Sequence, residues 1–365
     1  LTEKILPVKE PFLTGYPYYA GPLTILSASE ENYHPWLMSN FIQLVLQQED
    51  TGIKLDFFQP WVTWVPYSCP FLDIQLLNKD IFEKFNDSSN IIKSITDRID
   101  SGYYVYMSVN HKYLSCSNVQ WYKRINIAHE LFIYGYNMEK MILNVADNFG
   151  GKYEFKDCSF YEFIQSYINP ANINLHHYNR VILMKLNKDI NAELDILRIS
   201  DLLTDYLESR DTRIRDDGSV NWAKNSFLGI SVYDKIIEYL YLLLEDKCEY
   251  DIRFLHILWE HKKCMVYRMK LLEEKQVLQD SKFYEMYKKI ENDAFIQRSL
   301  MIKFYINKNK DIITDMILWL KSLKETEELL LRELLELLTR SQMSDPKYVL
   351  GNSHDISLKW SLVQL

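Results

Sequence analysis

The stretch His129-Glu-Leu-Phe-Ile-Tyr-Gly-Tyr-Asn137-Met-Glu-Lys-Met141-Ile-Leu-Asn-Val-Ala-Asp147 reads as two short strands folded back on one another. Apolar and aromatic residues dominate 130–136 and 141–146, and Asn137 supplies a polar tip between them. His129 and Asp147 stand 18 residues apart with their midpoint at Met138, beside that tip. In an antiparallel hairpin centred there, the two residues face one another across the ladder. An aspartate in that position accepts one ring N–H, fixes the tautomer and orients the other nitrogen as a base. The plainer alternative is a hydrogen-bonded histidine at a strand start and an aspartate in a turn.

Working outward, Gly102 releases a further strand over 103–109, whose apolar members fall at every second position. Apolar spacings of three and four predict helices over 34–48, 71–85 and 91–99, while 57–65 reads as extended and aromatic. Gly150-Gly151 turns the chain, and Ser159 suits the cap of a helix over 160–168. From about Asn191 the pattern becomes continuously helical, over 195–208, 222–245, 252–278, 281–307 and 312–338. The expectation is an α+β fold: residues 1–189 carry an antiparallel sheet, 190–345 form an all-α helical bundle, and 346–365 are a C-terminal tail.

Composition narrows the function. Lys+Arg 42 against Asp+Glu 50 gives a net charge of −8, which argues against a general electrostatic grip on nucleic acid. Gly and Pro number only 10 each, consistent with long uninterrupted elements. The five cysteines, Cys69, Cys116, Cys158, Cys248 and Cys264, contain no CxxC pair, so neither a disulfide framework nor a structural zinc site is expected. No apolar run reaches the ~18 residues a membrane span needs, and no basic-then-apolar leader opens the chain. The expectation is a cytoplasmic protein with no membrane partner, no nucleic-acid partner, no metal and no cofactor.

The runs Gly102-Tyr-Tyr-Val-Tyr-Met-Ser-Val-Asn110, His129 leading into Ile133-Tyr-Gly-Tyr-Asn137, and Leu143-Asn-Val-Ala-Asp147 together resemble a papain-like cysteine-peptidase fold. More narrowly they resemble the butirosin-biosynthesis BtrH N-terminal-like family, over roughly residues 10–175. The resemblance implies a catalytic His and Asp on such a hairpin, together with a Cys near the start of an early helix. It also implies acyl transfer from a carrier-protein thioester to a small amine, as in papain-fold amide formation in natural-product biosynthesis. The partners it implies are an acyl carrier protein, or an acyl thioester, and the amine acceptor.

In this chain the corresponding early region, Leu26-Ser-Ala-Ser-Glu-Glu-Asn-Tyr-His-Pro-Trp36, holds no cysteine. The candidate nucleophiles are therefore Ser27 or Ser29, or Cys69 ahead of Pro70; otherwise the site has lost its nucleophile and the domain only binds a peptide, an acyl chain or a partner protein. A hydroxyl leans entirely on a neighbouring base, here His129. Backbone N–H groups near Tyr33 and His34 are candidate oxyanion donors, and Asn110 with His111 follows a strand towards the expected cleft. Trp61 and Trp64, with Tyr16, Tyr18 and Tyr19, are candidates to wall an acyl pocket, or else to pack the core. With water as acceptor, the same residues make a thioesterase or peptidase. The pair His176-His177 reads as loop, 260–263 as a solvated helix face, and Arg210, Arg213 and Arg215 as a basic cluster suited to an acidic carrier protein.

Overall fold

The elements built by these patterns sort into two compact units in a computed structural model, which describes residues 1–29, 32–58, 69–84, 91–171, 179–212 and 226–344. The first unit is Leu1–Trp36 with Gln59–Glu193, and the second is Leu37–Phe58 with Leu194–Leu365. Trp61, Trp64, His176, His177, Arg213, Arg215 and the tail 346–365 lie outside the described residues.

The first unit is an antiparallel sheet with helices. Its strands are β1 (Glu3–Ile5), β4 (Leu72–Asn78), β5 (Tyr104–Asn110), β6 (Ala128–Asn137), β7 (Ile142–Phe149), β8 (Lys152–Ser159) and β9 (Arg180–Leu186). They run in the order β4-β9-β5-β6-β7-β8, and β1 extends the β5 side by pairing with the far end of β6. Helix α1 (Pro17–Ser27) packs on β6 and β7, α4 (Ile91–Asp100) on β5 and β6, and α5 (Phe160–Ile168) on β5 and β8. α4 forms where its period predicts, with Ile91, Ile92, Ile95 and Ile99 buried along one stripe. Ser159 Oγ accepts the Glu162 N–H at 3.2 Å and caps α5 as its sequence predicts.

Two predicted helices are replaced in part by strands. The helix read over 34–48 stops at α2 (His34–Asn40), and Leu44–Gln48 becomes β2. The helix read over 71–85 is strand β4 followed by the short α3 (Lys79–Lys84). Both segments carry apolar residues at a spacing that suits helix, yet each finds a strand partner: β2 pairs with β3 (Ile53–Phe57), and β4 with β9. Tertiary pairing overrides a weak local preference.

The second unit contains α6 (Ile196–Leu207), α7 (Val232–Leu244), α8 (Arg253–Glu274), α9 (Lys282–Asn307) and α10 (Lys310–Ser344), each within a predicted helical stretch or nearly so. It is not purely helical: β10 (Ser226–Leu228), β2 and β3 form a three-stranded antiparallel sheet, and β3 packs on α8. Among the described residues no helix is long and apolar enough to cross a membrane.

Candidate functional site

The hairpin of β6 and β7 carries a bulge that decides which side chains meet. Near the tip the pairs are Asn137↔Ile142, Tyr136↔Leu143 and Gly135↔Asn144; further in they are Ile133↔Val145 and Phe132↔Ala146. Tyr134 is the extra residue. Continued inward, this register sets Leu131 opposite Asp147, and His129 is two residues from Leu131, on the same face. Without the bulge Phe132 would stand opposite Asp147, and His129 would point to the other side of the sheet. The two residues therefore meet diagonally rather than directly across, with His129 Nδ1 donating to Asp147 Oδ2 at 2.8 Å.

Asp147 is 1% exposed, whereas the His129 side chain is 23% exposed. Burial works against charge on His129, but the Asp147 carboxylate, its hydrogen bond and nearby Glu130 outweigh it and raise the imidazole to about 9. The pair is thus an imidazolium on a buried carboxylate. The second ring nitrogen, Nε2, lies 4.0 Å from Glu130 Oε2, which is itself partly exposed.

A second histidine, His111, completes the cluster from the one-turn helix that follows β5. Its Nε2 is 3.8 Å from Asp147 Oδ2, too long for a hydrogen bond, while its Nδ1 is 2.8 Å from Ser117 Oγ. The ring is fully buried, and burial pushes it down to about 3, so it is neutral. Trp121 packs against both rings, with centroids 5.8 Å from His111 and 5.3 Å from His129, and the two imidazoles stand edge to face at 5.2 Å. In the sequence His111 is marked, with Asn110, by its place after a strand leading towards the expected cleft. Ser117 and Trp121 carry no such mark, because their approach to the hairpin is made by the loop between β5 and β6.

The proposed nucleophiles stand elsewhere. α1 covers the face bearing Phe132 and Tyr106, since a Cβ placed on Gly21 would lie 3.4 Å and 3.5 Å from those side chains. Phe132 is three residues from His129 along a regular ladder with β5, so the dyad projects from the opposite face. Ser27 is the last residue of α1 and shares a 3.0 Å hydrogen bond with the Tyr33 hydroxyl; Ser29 donates to the Leu26 carbonyl at 2.8 Å. Both sit at the carbonyl end of the helix, where the dipole disfavours a developing anion, rather than at the N-terminal end expected of them. Cys69 precedes strand β4, not a helix, and burial pushes its thiol up to about 12.

Tyr33 stacks on His34 with centroids 4.3 Å apart, and Phe12 meets the His34 ring edge-on. Burial lowers the His34 imidazole, and α2, which begins there, is only seven residues long. Asn110 is a buried strut: its amide donates to the Asn169 carbonyl at 2.8 Å and its Oδ1 accepts the Lys112 N–H at 3.1 Å. Tyr16, Tyr18 and Tyr19 are buried and pack on one another. In the second unit Glu260, His261 and Lys262 are buried rather than solvated. Lys262 Nζ donates to both oxygens of Glu327, at 2.6 and 2.7 Å, which explains why so polar a run turns inward.

No protein-family model matches the chain, and no curated protein matches it.

Proposed function

We propose that the first unit is a papain-like domain of the BtrH N-terminal-like kind. It would form amides by moving an acyl group from a carrier-protein thioester to a small amine in natural-product biosynthesis. The observation that supports this reading is the 2.8 Å contact between the partly exposed His129 and the buried Asp147, which is made through Nδ1 and leaves Nε2 out of that bond. Among the described residues, Asp147, Glu130, His111 and Trp121 surround the His129 ring, and none is a thiol or hydroxyl. The transfer therefore proceeds without an acyl-enzyme. The amine nitrogen attacks the thioester carbonyl, the C–N bond forms and the C–S bond breaks. His129, cationic at neutral pH, gives its Nε2 proton to the departing sulfur and takes up the proton lost by nitrogen, giving amide and thiol. Asp147 holds the ring and stabilises its cationic form.

Incubation with an acyl thioester and a panel of small amines, followed by mass spectrometry of products and of intact protein, tests the reading. Amide without a covalent adduct is expected, and His129→Ala lowers kcat/KM by about 10²–10⁴. Absence of any amide or acid product with carrier-bound and small thioesters overturns it. A second reading, a domain that binds without turnover, is favoured by the contacts His129 makes among the described residues, none of which is to a thiol or hydroxyl. It predicts that His129→Ala alters binding or stability while no thioester is consumed. Release of free acid in place of amide identifies water as the acceptor, as in a thioesterase.

A further inference from the structure

His111 and Asp147 approach each other across 3.8 Å, and each keeps one buried polar atom unmatched. His111 Nε2 and Asp147 Oδ1 are both buried without a hydrogen-bond partner. The Nδ1 of His111 is held by Ser117 Oγ, so if Ser117 accepts, Nε2 is an unprotonated nitrogen directed at a carboxylate 3.8 Å away. If Ser117 donates instead, the Nε2–H points at an oxygen beyond hydrogen-bond reach. In the first arrangement two acceptors oppose one another in a buried space, and a cation between them resolves the mismatch.

We infer that His111, His129 and Asp147 form a binding site for a divalent first-row transition ion of the zinc class, with His111 Nε2, His129 Nδ1 and the Asp147 carboxylate as ligands. Ligand atoms of the three residues lie within 4.8 Å of one another. Metal–ligand lengths of about 2.0–2.1 Å place neighbouring ligands of one tetrahedral ion roughly 3.3 Å apart. The partly exposed His129 ring supplies the adjustment, because it is the least confined of the three. Two imidazoles and one carboxylate are a donor set suited to zinc, cobalt or iron(II) and leave a coordination position open. Ser117 stands where an outer partner orients a ligating histidine by its second nitrogen. Binding replaces the Nδ1 proton of His129, which passes to solvent, so the ion and the His129–Asp147 hydrogen bond exclude one another. The site does not rest on the acyl-transfer reading, which uses the ion-free state with its His129–Asp147 hydrogen bond intact, and its test needs no substrate.

The full chain, dialysed against a chelator and titrated with cobalt(II), reads the site through the visible absorption of a low-symmetry ion. One saturable equivalent with a strong visible band is expected, and zinc should abolish the band by displacement. His129→Gln and His111→Gln each weaken cobalt binding by at least about tenfold, and Ser117→Ala weakens it by about 10–100-fold. Should the His111 variant not fold, His129→Gln, on the exposed side, decides the matter alone. The inference is overturned if the wild type shows no saturable band, as expected of a cavity bridged only by water, or if His129→Gln binds cobalt as tightly as the wild type.

Discussion

Asp147 is the residue both histidines approach, and its charge is enough to protonate only one of them. The same buried carboxylate is bonded to His129 at 2.8 Å and stands 3.8 Å from His111, so one ring gains a proton and the other does not. For His111, full burial dominates and the attraction of Asp147 is insufficient. For His129, Asp147 and Glu130 together overcome burial. Asp147→Asn keeps the shape and removes the charge. The His129 imidazole is then left mainly with the burial that lowers it, so its titration should move from about 9 to below 6.5. Histidine Cε1–H resonances followed against pH measure this directly. A His129 midpoint that stays near 9 in the variant would show that Asp147 is not the source of the charge.

At the scale of elements, the hairpin was legible and its bulge was not. Apolar and aromatic runs on either side of the polar Asn137 predict two strands, and the 18-residue separation brings His129 near Asp147. The direct facing that this spacing suggests is not what forms: Tyr134 is extruded from the ladder, and only that shift returns both residues to one face. Gly135, a lone glycine inside a strand pattern, was the available signal. The tyrosine carbonyl left by the bulge accepts the Leu6 N–H at 2.8 Å, so β1 clamps the irregularity. A Cβ on Gly135 would lie 2.8 Å from the Lys4 carbonyl oxygen and 3.0 Å from the Ile5 Cα, both backbone atoms that cannot swing away. Gly135→Ala should therefore destabilise the protein by about 1–3 kcal/mol in denaturant titration. The Leu6 amide should lose hydrogen-exchange protection first. Unchanged stability with full Leu6 protection would mean that the bulge does not depend on this close approach. His111 shows the opposite limit of legibility: its meeting with Asp147 is made by the path of the chain beyond β5, and no local pattern encodes it.

For the whole molecule, the sequence reading was weakest where the chain returns on itself. Leu37–Phe58 lies early in the chain yet belongs to the second unit, where Phe41 and Met38 carbonyls accept hydrogen bonds from buried Arg268 at 2.8 and 2.7 Å. A periodicity argument has no access to such pairings, and for the same reason it placed 260–263 in water. Within that unit Glu327 accepts hydrogen bonds from Lys262 and from the hydroxyls of Tyr206, Tyr233 and Tyr287. His261 stands beside this network, its Nε2 donating to the Ile42 carbonyl at 2.8 Å and its Nδ1 accepting from Lys262 at 3.0 Å. Burial, then the charges of Lys262 and Arg268, hold His261 neutral, well below its ordinary 6.5. Above pH 6.5 the unfolded chain leaves this histidine neutral too, and its titration costs the fold nothing. As pH falls below 6.5 the unfolded form takes a proton that the folded form refuses. Stability is then lost at up to about 1.4 kcal/mol per pH unit for this one group. His111 adds to the loss over a window from 6.5 towards 3, whereas His129, raised to about 9, contributes stability that is full below 6.5 and is lost as pH rises through 9. Comparing His261→Gln with the wild type isolates the second unit, because the first-unit histidines are common to both. Denaturant midpoints between pH 7.5 and 5 should fall more steeply for the wild type, by close to one proton's slope, even though the variant is less stable at pH 7.5. Parallel pH profiles would mean that His261 takes up its proton in the folded state, and that the Lys262–Glu327 network rearranges to admit it.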